Sequence, residues 1–450
     1  MNKSLLEESV LFISVLKWVI LATGIGIAVG LSTTVFLKIL DFSISRIQVS
    51  PHFFLLLPAG LFISAIAVKY FSPDAKGYGT EKVIEAVHKH SGKMSAIVAP
   101  VKLFATIVTT ATGGSVGQVG PCAQIGGALS SLFADILKFD ANDRKKLVIC
   151  GISAGFASVL GAPIAGAIFG VEVLFIGSIL YEVLLPSFIS GMIGYQISSY
   201  FGINYFQYHQ DFIPAFSEAF FLKVVLAGIF FGVCAAVLIE ILKGIDKLAG
   251  RINLWAPLKS LAGGALLAGL TFLTSTNYLG LGLETIKIAI SGAKIVPHAF
   301  LMKAIFTGIT FGSGGSGGII TPILFMGAVA GSVFGDFWEL NRGTFAAIGM
   351  VSVLAGAANT PIAASILAME LFGLEIAPYA AVACVVSFLM TGHRSVFPTQ
   401  IMGLQKSSSV HVELGNEVET AETHYEPRER SLIGIGLRLY DRIKNRKRVG

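Results

Sequence analysis

Charged residues are scarce in this chain. Only 13% of its 450 residues are Asp, Glu, Lys or Arg, whereas about 25% is usual for a soluble domain. Apolar residues make up 54%, so polar side chains are too few to cover a water-exposed globule. The composition excludes a typical soluble enzyme, a disordered scaffold and a small disulfide-stapled module. It predicts an integral membrane protein with many spans.

Cysteine is also scarce, and the motifs of zinc proteases and of P-loop nucleotide binding are missing. The four cysteines, Cys122, Cys150, Cys234 and Cys384, lie apart in apolar stretches without CxxC spacing, so we expect them to pack inside helices. The chain has no HExxH or GK[ST] motif. We therefore predict a protein that is not an enzyme and that needs no cofactor or metal. The net charge of +6 indicates membrane orientation rather than nucleic-acid binding.

Long apolar runs occur in both halves of the chain. They cover about residues 10–37, 53–70, 220–242 and 258–273. The first two are long enough to span a hydrocarbon core of roughly 30 Å. In residues 96–185 and 300–390 the apolar segments are shorter and are cut by Gly and Pro. Such interruptions in both halves predict discontinuous helices that meet near the middle of the membrane.

Two pairs of matching segments indicate an internal duplication. The pairs are GGSVGQVGP (113–121) with GGSGGIITP (314–322), and APIAGAIFGVE (162–172) with TPIAASILAME (360–370). In the second pair, Glu172 and Glu370 each follow the proline by nine residues. The order of the segments does not decide whether the repeats are parallel or inverted, but inverted repeats are common in transporters.

Glycine is abundant, with 51 residues, or about 11% against a usual 7%. A glycine-rich break that leads into a helix can aim several backbone N–H groups at one point, and the helix dipole there favours an anion. The alternative is that the glycines only permit close helix packing. Because two matched breaks each precede a segment that can form a helix, we favour an anion site.

These motifs resemble those of the CLC family of chloride channels and chloride/proton exchangers. GQVGP (117–121) resembles the family's GREGP signature, GIITP (318–322) its GxFxP signature, and residues 162–172 its APLAG…E segment. The resemblance covers about residues 60–402. It implies an all-α polytopic fold of two inverted repeats with discontinuous helices. It also implies a homodimer in which each subunit has its own pore.

The resemblance assigns an anion-binding or pore role to one group of residues. They are Tyr78, Gly79, Gly117, Gln118, Val119, Gly120, Gly318, Ile319, Ile320 and Phe397. Val119 stands where the family has the gating glutamate that competes with the anion and carries a proton. Gln118 replaces the arginine before it. Val173 occupies the position of the exchangers' inner proton glutamate. Because neither valine can ionise, we predict passive conduction.

The anion-coordinating hydroxyls also differ from the family pattern. GYGTE (77–81) is the weakest match, and it places Tyr78 at the usual serine, while Phe397 replaces the family's coordinating tyrosine. Tyr78 either donates its phenol O–H to the anion or narrows the inner pore by its bulk. The sequence leaves both interpretations open.

Three further charged residues need an interpretation. Lys102 lies at a family-like basic position, where it either raises the local anion potential or reaches the membrane interface as a snorkelling lysine. Glu172 and Glu370 are expected to be structural, because a glutamate at a helix end can accept backbone N–H bonds.

The sequence divides into two parts. Residues 1–402 are predicted to form the transmembrane pore domain, with one repeat at about 50–200 and the other at about 217–402. Residues 403–450 are predicted to form a cytoplasmic tail, whose basic amphipathic end either rests on anionic headgroups or binds a partner.

The function predicted from the sequence is a passive chloride channel in the cell membrane, with small inorganic anions and the lipid bilayer as its partners. The alternatives are an exchanger that uses other proton carriers and a non-conducting membrane scaffold. Because the gating glutamate is absent, we expect little resemblance to the fluoride-handling branch of the family.

Overall fold

The computed structural model describes residues 3–205 and 217–425, and these fold mainly into helices. The helices of the first half are α1 (Lys3–Ile47), α2 (Leu57–Phe71), α3 (Thr80–Lys89), α4 (Val98–Ala111), α5 (Val119–Ile136), α6 (Ala141–Leu160), α7 (Pro163–Glu172) and α8 (Leu184–Tyr200). Those of the second half are α9 (Glu218–Gly250), α10 (Ala256–Leu273), α11 (Leu283–Ile290), α12 (Ala299–Gly312), α13 (Ile320–Phe337), α14 (Arg342–Ala358), α15 (Pro361–Phe372) and α16 (Ala377–Met390).

Strands in the described residues are short. β1 (Phe175–Ile176) pairs in parallel with β2 (Ile401–Met402), and β3 (Val410–Val412) pairs antiparallel with β4 (Thr423–Tyr425). Short 3₁₀ turns cover Phe53–Leu56, Pro73–Ala75, Tyr181–Val183 and Thr276–Tyr278. The pair β1–β2 joins the end of α7 to the segment that follows α16, so it ties the two halves of the chain together.

The two halves repeat one pattern of eight helices. α1 packs on α6 and α8, as α9 packs on α14 and α16, and α5 packs on α6 as α13 packs on α14. The prediction that the first repeat begins near residue 50 therefore leaves out its first helix, α1. The second repeat, predicted to begin near 217, contains all eight of its helices. The first boundary was misplaced because α1 carries no motif that could be matched to α9.

The repeats are inverted. At the C-terminal end of α7, Glu172 accepts hydrogen bonds from the Ile362 and Ala363 N–H groups, which open α15, at 3.0 and 2.7 Å. Glu370, near the end of α15, accepts from the Ile164 and Ala165 N–H groups at 2.9 and 2.8 Å. Equivalent helices that cap each other's N-termini must run antiparallel, which confirms the inverted topology and the capping role predicted for both glutamates.

Discontinuous helices follow from helix length. Five described helical segments are long and apolar enough to cross a membrane: Glu7–Ile47, Phe53–Phe71, Glu218–Gly250, Ala256–Leu273 and Ile320–Phe337. In contrast, α4 and α12 have 14 residues each, or about 21 Å, which is shorter than the hydrocarbon core. Two residues after each helix ends comes a glycine, Gly113 or Gly314, whose φ angle of 108° or 109° suits glycine.

Burial separates central from peripheral helices. α13 is buried along most of its length, whereas α1 exposes large apolar side chains such as Phe12 and Ile20. An apolar face that no protein covers suits the lipid. Cys122, Cys150 and Cys384 are buried free thiols and Cys234 is half-buried, which confirms the packing role predicted for the cysteines.

Residues 403–425 pack against the helical domain, although the sequence predicts a tail from residue 403. Met402 N–H donates to Asn416 O at 2.9 Å, and Val418 N–H donates to Gln400 O at 2.9 Å. Lys89 forms an ion pair with Glu417 at 3.0 Å. The packed structure therefore continues past residue 402. The predicted basic amphipathic helix falls in residues outside the described part of the chain.

Candidate functional site

The two glycine-rich breaks meet at the centre of the molecule. Gly117 and Gly318 exchange two backbone hydrogen bonds, with N···O distances of 2.6 and 2.8 Å. Ser115 N–H donates to the Thr310 hydroxyl at 3.1 Å, and Ser316 N–H donates to the Thr109 hydroxyl at 3.4 Å. Each loop is thus held by the threonine of the opposite repeat. The axis that relates the two halves passes between the glycines.

Two helix N-termini begin beside this crossing. Gln118 is the N-cap residue of α5 and Ile319 that of α13, and neither N-cap side chain accepts a hydrogen bond from its helix. Val119 and Ile320 are the first helical residues. Backbone N–H groups in the first turn of a helix lack intrahelical partners and carry partial positive charge. The site can therefore attract an anion without a cationic side chain.

The loop GYGTE reaches the same place. A Cβ atom on Gly120 would lie 2.1 Å from Tyr78 O and 2.9 Å from the Gly318 Cα, so no side chain fits at residue 120. A Cβ atom on Gly79 would lie 2.5 Å from Gly120 O. The structure thus brings Tyr78, Gly79, Gly117, Gly120 and Gly318 together. The weakest of the sequence matches occupies the place that the resemblance implies.

A cavity of about 430 Å³ opens beside Tyr78. The Tyr78 ring packs edge-on against Phe311, with 4.6 Å between centroids, and both rings line this cavity. Its wider part carries charges of both signs, from Lys76, Lys243, Lys247, Glu81, Asp246 and Glu419. We call it the Tyr78 cavity.

A smaller cavity of about 100 Å³ lies at the other end of the crossing. Gln118 and Thr321 line it together with Asn204 and Tyr205. Thr321 is 97% buried, and its hydroxyl has no hydrogen-bond partner in the described part of the chain. Two cavities, one on Tyr78 and one on Gln118, therefore flank the central glycines.

The side chains at the predicted gate position, at the predicted proton-site position and at two of the predicted pore positions are apolar and inaccessible. Val119, Val173, Ile319 and Ile320 are completely buried. Val173 follows the last residue of α7, and its carbonyl accepts a hydrogen bond from Gln400 Nε2 at 2.7 Å. No proton can bind at either valine side chain.

Phe397 is less closely associated with the site than the resemblance implies. Its ring is completely buried. The adjacent Val396 and Pro398 line the Tyr78 cavity, but Phe397 is not among the lining residues. Its backbone N–H donates to the Ser395 hydroxyl at 2.9 Å. The structure therefore places the loop of Phe397 at the cavity, but not its ring.

Lys102 supports the Tyr78 loop from within the protein. Its side chain is completely buried, and Nζ donates to Gly77 O at 2.7 Å and to Ala75 O at 3.2 Å. Complete burial shows that the snorkelling interpretation is wrong. The ammonium group binds the carbonyl of Gly77, the residue before Tyr78.

Sequence reasoning missed the repeat mate of Lys102. Lys303 is also completely buried, and its Nζ donates to Gly280 O at 2.8 Å and to Tyr278 O at 3.2 Å. The GLGLE segment at 280–284 therefore repeats GYGTE at 77–81, and each segment has a lysine beneath it. In both segments a Gly-x-Gly sequence is followed two residues later by Glu, and this shared spacing could have identified the repeat.

Glu81 is a second residue that the sequence left without a role. It lies in the first turn of α3 and lines the Tyr78 cavity. Burial, followed by the carboxylates of Glu85, Glu419 and Asp246, raises the pKa of Glu81 to about 7, although the ammonium group of Lys82 opposes the shift. A carboxyl group next to the candidate anion path thus changes its charge near neutral pH.

Comparison with known proteins gives one consistent family. Residues 59–392 match the family model described as voltage gated chloride channel. The chain is 33% identical over 397 residues, 87% of each chain, to the "Chloride/fluoride channel protein" of Pseudomonas syringae pv. tomato. It is 29% identical over 328 residues, 68% of each chain, to the "H(+)/Cl(-) exchange transporter ClcA" of Cronobacter sakazakii.

Solved structures agree with this family. A CLC-type fluoride/proton antiporter superposes with a TM-score of 0.81 at 25% identity, covering 85% of this chain and 97% of that one. A slow cyanobacterial Cl⁻/H⁺ antiporter superposes with a TM-score of 0.73 at 20% identity, covering 83% and 94%. Because relatives named for fluoride are among the matches, the expectation of little resemblance to the fluoride-handling branch is wrong.

Proposed function

Because this chain belongs to the CLC family of chloride channels and chloride/proton exchangers, we propose that it conducts anions passively through a pore in each subunit. Chloride is the proposed substrate. The anion is held by backbone N–H groups at the starts of α5 and α13 and passes between the Tyr78 cavity and the smaller cavity at Gln118. No cofactor or catalytic step is needed for this function.

The observation that carries the proposal is the pair of buried valines. Val119 begins α5 at the glycine crossing and Val173 follows α7, and both side chains are fully buried. A proton-coupled exchanger needs groups that bind protons along the anion path, and valine has none. Buried carboxyl groups are expensive in a membrane protein and are typically retained for function. Their absence from both positions favours conduction without proton movement.

The test is anion flux from proteoliposomes with the external pH recorded at the same time. Fast chloride efflux without proton movement is the expected result. Uphill proton movement driven by a chloride gradient would contradict the passive mode. Absence of flux would instead favour a non-conducting scaffold. Empty liposomes and liposomes that contain denatured protein serve as controls.

One observation favours a second candidate, a proton-coupled exchanger that uses Glu81. This carboxyl group lines the Tyr78 cavity, and burial raises its pKa to about 7. If Glu81 carries protons, coupled flux is expected in the wild type and is lost in Glu81→Gln while chloride flux remains. Several similar proteins are named as exchangers or antiporters, which supports this second candidate.

Fluoride is a candidate substrate alongside chloride. One similar protein is named for chloride and fluoride, and one similar structure is a fluoride/proton antiporter. A site made of backbone N–H groups and the Tyr78 hydroxyl offers hydrogen-bond donors that a small, strongly hydrated anion needs. Efflux of chloride and fluoride, measured with ion-selective electrodes on the same liposomes, gives the ratio of the two fluxes.

The protein is a multi-pass membrane protein, and we propose the cell membrane as its location and a homodimer as its assembly. Lys76, Lys243 and Lys247 lie around the Tyr78 cavity, and Lys89 and Lys146 form ion pairs on the same side of the molecule. The positive-inside tendency makes this the cytoplasmic side. Native mass spectrometry of the protein in detergent tests the dimer.

A further inference from the structure

A second cavity on the basic side of the molecule lies away from the anion path. It measures about 280 Å³ and is located between the end of α16 and the packed segment 403–425. Three basic side chains line it, those of His393, Arg394 and Lys406, and Ser407 and Thr423 add hydroxyl groups. None of the described residues that line it is acidic. We call it the Lys406 cavity.

Lys406 is a largely buried cation that lacks a counter-ion. Its Nζ donates to Asn359 Oδ1 at 2.6 Å and to Phe388 O at 2.7 Å, and it lies 3.8 Å from the centre of the Phe388 ring. An ammonium group has three donors, so one remains. No ion pair between Lys406 and a carboxylate occurs in the described part of the chain. Burial without a partner lowers the pKa of Lys406 to about 7. An unpaired buried charge is costly, and a bound anion would offset that cost.

The two basic neighbours provide further donors. His393 Nε2 accepts the Lys406 backbone N–H at 3.2 Å, so in the neutral ring the proton is carried by Nδ1. Burial, followed by the charge on Lys406, lowers the pKa of His393. Arg394 forms an ion pair with Glu240 through Nε at 2.8 Å, and the guanidinium has other N–H groups free to bind oxygen. Glu240 is the one carboxylate that contacts these three basic residues in the described chain.

We propose that the Lys406 cavity binds a phosphate group, supplied by a free phosphate compound or by a lipid headgroup. Oxygen atoms on several sides of one phosphorus match donors that approach from Lys406, His393 and Arg394, whereas a monatomic anion would fill little of a 280 Å³ cavity. A phosphate anion also balances the charge of a protonated Lys406. Binding therefore draws protons onto the site.

Hydrogen bonds connect this cavity to the anion path. Lys406 Nζ contacts Asn359, whose Nδ2 donates to Gln400 Oε1 at 3.2 Å. Gln400 Oε1 also accepts from the Ser395 hydroxyl at 2.5 Å, and Ser395 lines the Tyr78 cavity. Occupancy of the Lys406 cavity therefore stabilises residues 395–400, which border the Tyr78 cavity, and makes the site a regulatory one.

The experiment is calorimetric titration of inorganic phosphate into the full-length protein in phosphatidylcholine nanodiscs, at pH 7 and constant ionic strength in chloride. We expect saturable binding with net proton uptake. Proton uptake is detected because the measured heat then depends on the ionisation enthalpy of the buffer. Affinity should fall at least tenfold in Lys406→Gln and be largely kept in Lys406→Arg. Lys287→Gln, whose side chain pairs with Glu284 on α11 and does not line the Lys406 cavity, should bind as the wild type does.

A second variant tests the proposal independently in case Lys406→Gln does not fold. Arg394 is partly exposed, and Arg394→Gln should also weaken phosphate binding while the protein stays folded. Absence of saturable binding by the wild type, or equal affinity in Lys406→Gln, Arg394→Gln and Lys287→Gln, overturns the proposal. None of these measurements requires the protein to conduct, so failure here leaves the proposed channel function intact.

Two further experiments identify the source of the phosphate group and test the connection between the Lys406 cavity and residues 395–400. If a lipid headgroup is the natural ligand, nanodiscs containing phosphatidic acid should abolish the phosphate heat; if a soluble compound is, the heat should persist. Hydrogen exchange of residues 395–400 should slow when phosphate is bound. Unchanged exchange at saturation would overturn the regulatory connection.

Discussion

Glu172 and Glu370 each cap the helix that contains the other. Glu172 binds the first N–H groups of α15, and Glu370 binds those of α7, with four N···O distances between 2.7 and 3.0 Å. The arrangement joins the two repeats back to back by charge-assisted hydrogen bonds, which are stronger than neutral ones. It explains how a carboxylate is accommodated inside the helical domain at Glu172, which is buried, and at Glu370, which is partly buried.

Removing one of these caps should destabilise the protein. Glu172→Ala leaves the N–H groups of Ile362 and Ala363 without partners. We expect a loss of about 2–4 kcal/mol in the free energy of unfolding, whereas Glu172→Gln should lose about 1–2 kcal/mol. Glu370→Gln should lose less, because Glu370 is less buried. Unfolding in detergent measures these changes. Glu284→Gln, at an exposed position, is the control, and an equal effect there would contradict the assignment.

Introducing a carboxyl group at the glycine crossing should create a pH-dependent block. Val119→Glu places an ionisable group at the start of α5, where its carboxylate competes with the anion for the same backbone N–H groups. Current or flux should fall by about tenfold as the pH rises above the pKa of the new group and recover in acid. Val119→Gln has similar size without charge and should show no such change. A variant that is insensitive to pH would show that residue 119 does not line the path.

Tyr78→Phe separates the two interpretations of Tyr78. If the hydroxyl donates to the anion, its removal should lower anion affinity by roughly ten- to a hundredfold, because a hydrogen bond to a charged group contributes about 1.5–3 kcal/mol. If the ring blocks the path, Tyr78→Phe should have no effect, whereas Tyr78→Ala should raise the flux. Calorimetry and liposome flux measure the two effects. Phe311→Leu, which alters the packing of the Tyr78 ring, is a control for simple repacking.

Conduction should depend on the pH of the Tyr78 side. The pKa of Glu81 is raised to about 7, with burial as the largest cause, so the group is neutral below that pH and negative above it. A negative charge on the cavity wall repels anions. Flux should therefore fall as the pH rises through about 7, and Glu81→Gln should keep the high flux at every pH. A pH profile that is unchanged in Glu81→Gln would assign the titration to another group.

Lys102 and Lys303 form a matched pair for testing electrostatics. Both are fully buried and both hold two carbonyl groups of the corresponding loop, so Lys102→Met and Lys303→Met remove equivalent structural bonds. Only Lys102 lies beneath the Tyr78 loop. We expect Lys102→Met to lower flux from the Tyr78 side more than Lys303→Met does, at similar losses of stability. Equal effects on flux would mean that the lysines act through structure alone.

Much of the candidate site follows from local sequence. The GQVGP and GIITP segments, the valines at 119 and 173 and the duplication could all be identified because motif spacing and side-chain type are properties of the chain itself. The capping role of Glu172 and Glu370 was also predictable, since helix termini have known requirements. That each glutamate caps the opposite repeat was not, because the contact joins residues about 190 to 206 positions apart.

Several features depend on distant contacts. Burial of Lys102 could not be distinguished from snorkelling without knowing that the Ala75 and Gly77 carbonyls lie above it. The inclusion of α1 in the first repeat appears only in its packing on α6 and α8. The fold of residues 403–425 depends on strand and loop contacts with Gln400 and Met402, which no local pattern predicts.

The sequence alone determined that this is a membrane protein of two related halves, because scarcity of charge and the order of motifs need no coordinates. It also determined that two ionisable groups are missing. The tertiary structure decided that the halves are inverted and that Tyr78 and the central glycines share one site. It also decided that Glu81 and Lys406 line particular cavities and that Lys303 is buried beneath the segment that repeats the Tyr78 loop. These are relations between segments far apart in the chain, and only packing brings such segments together.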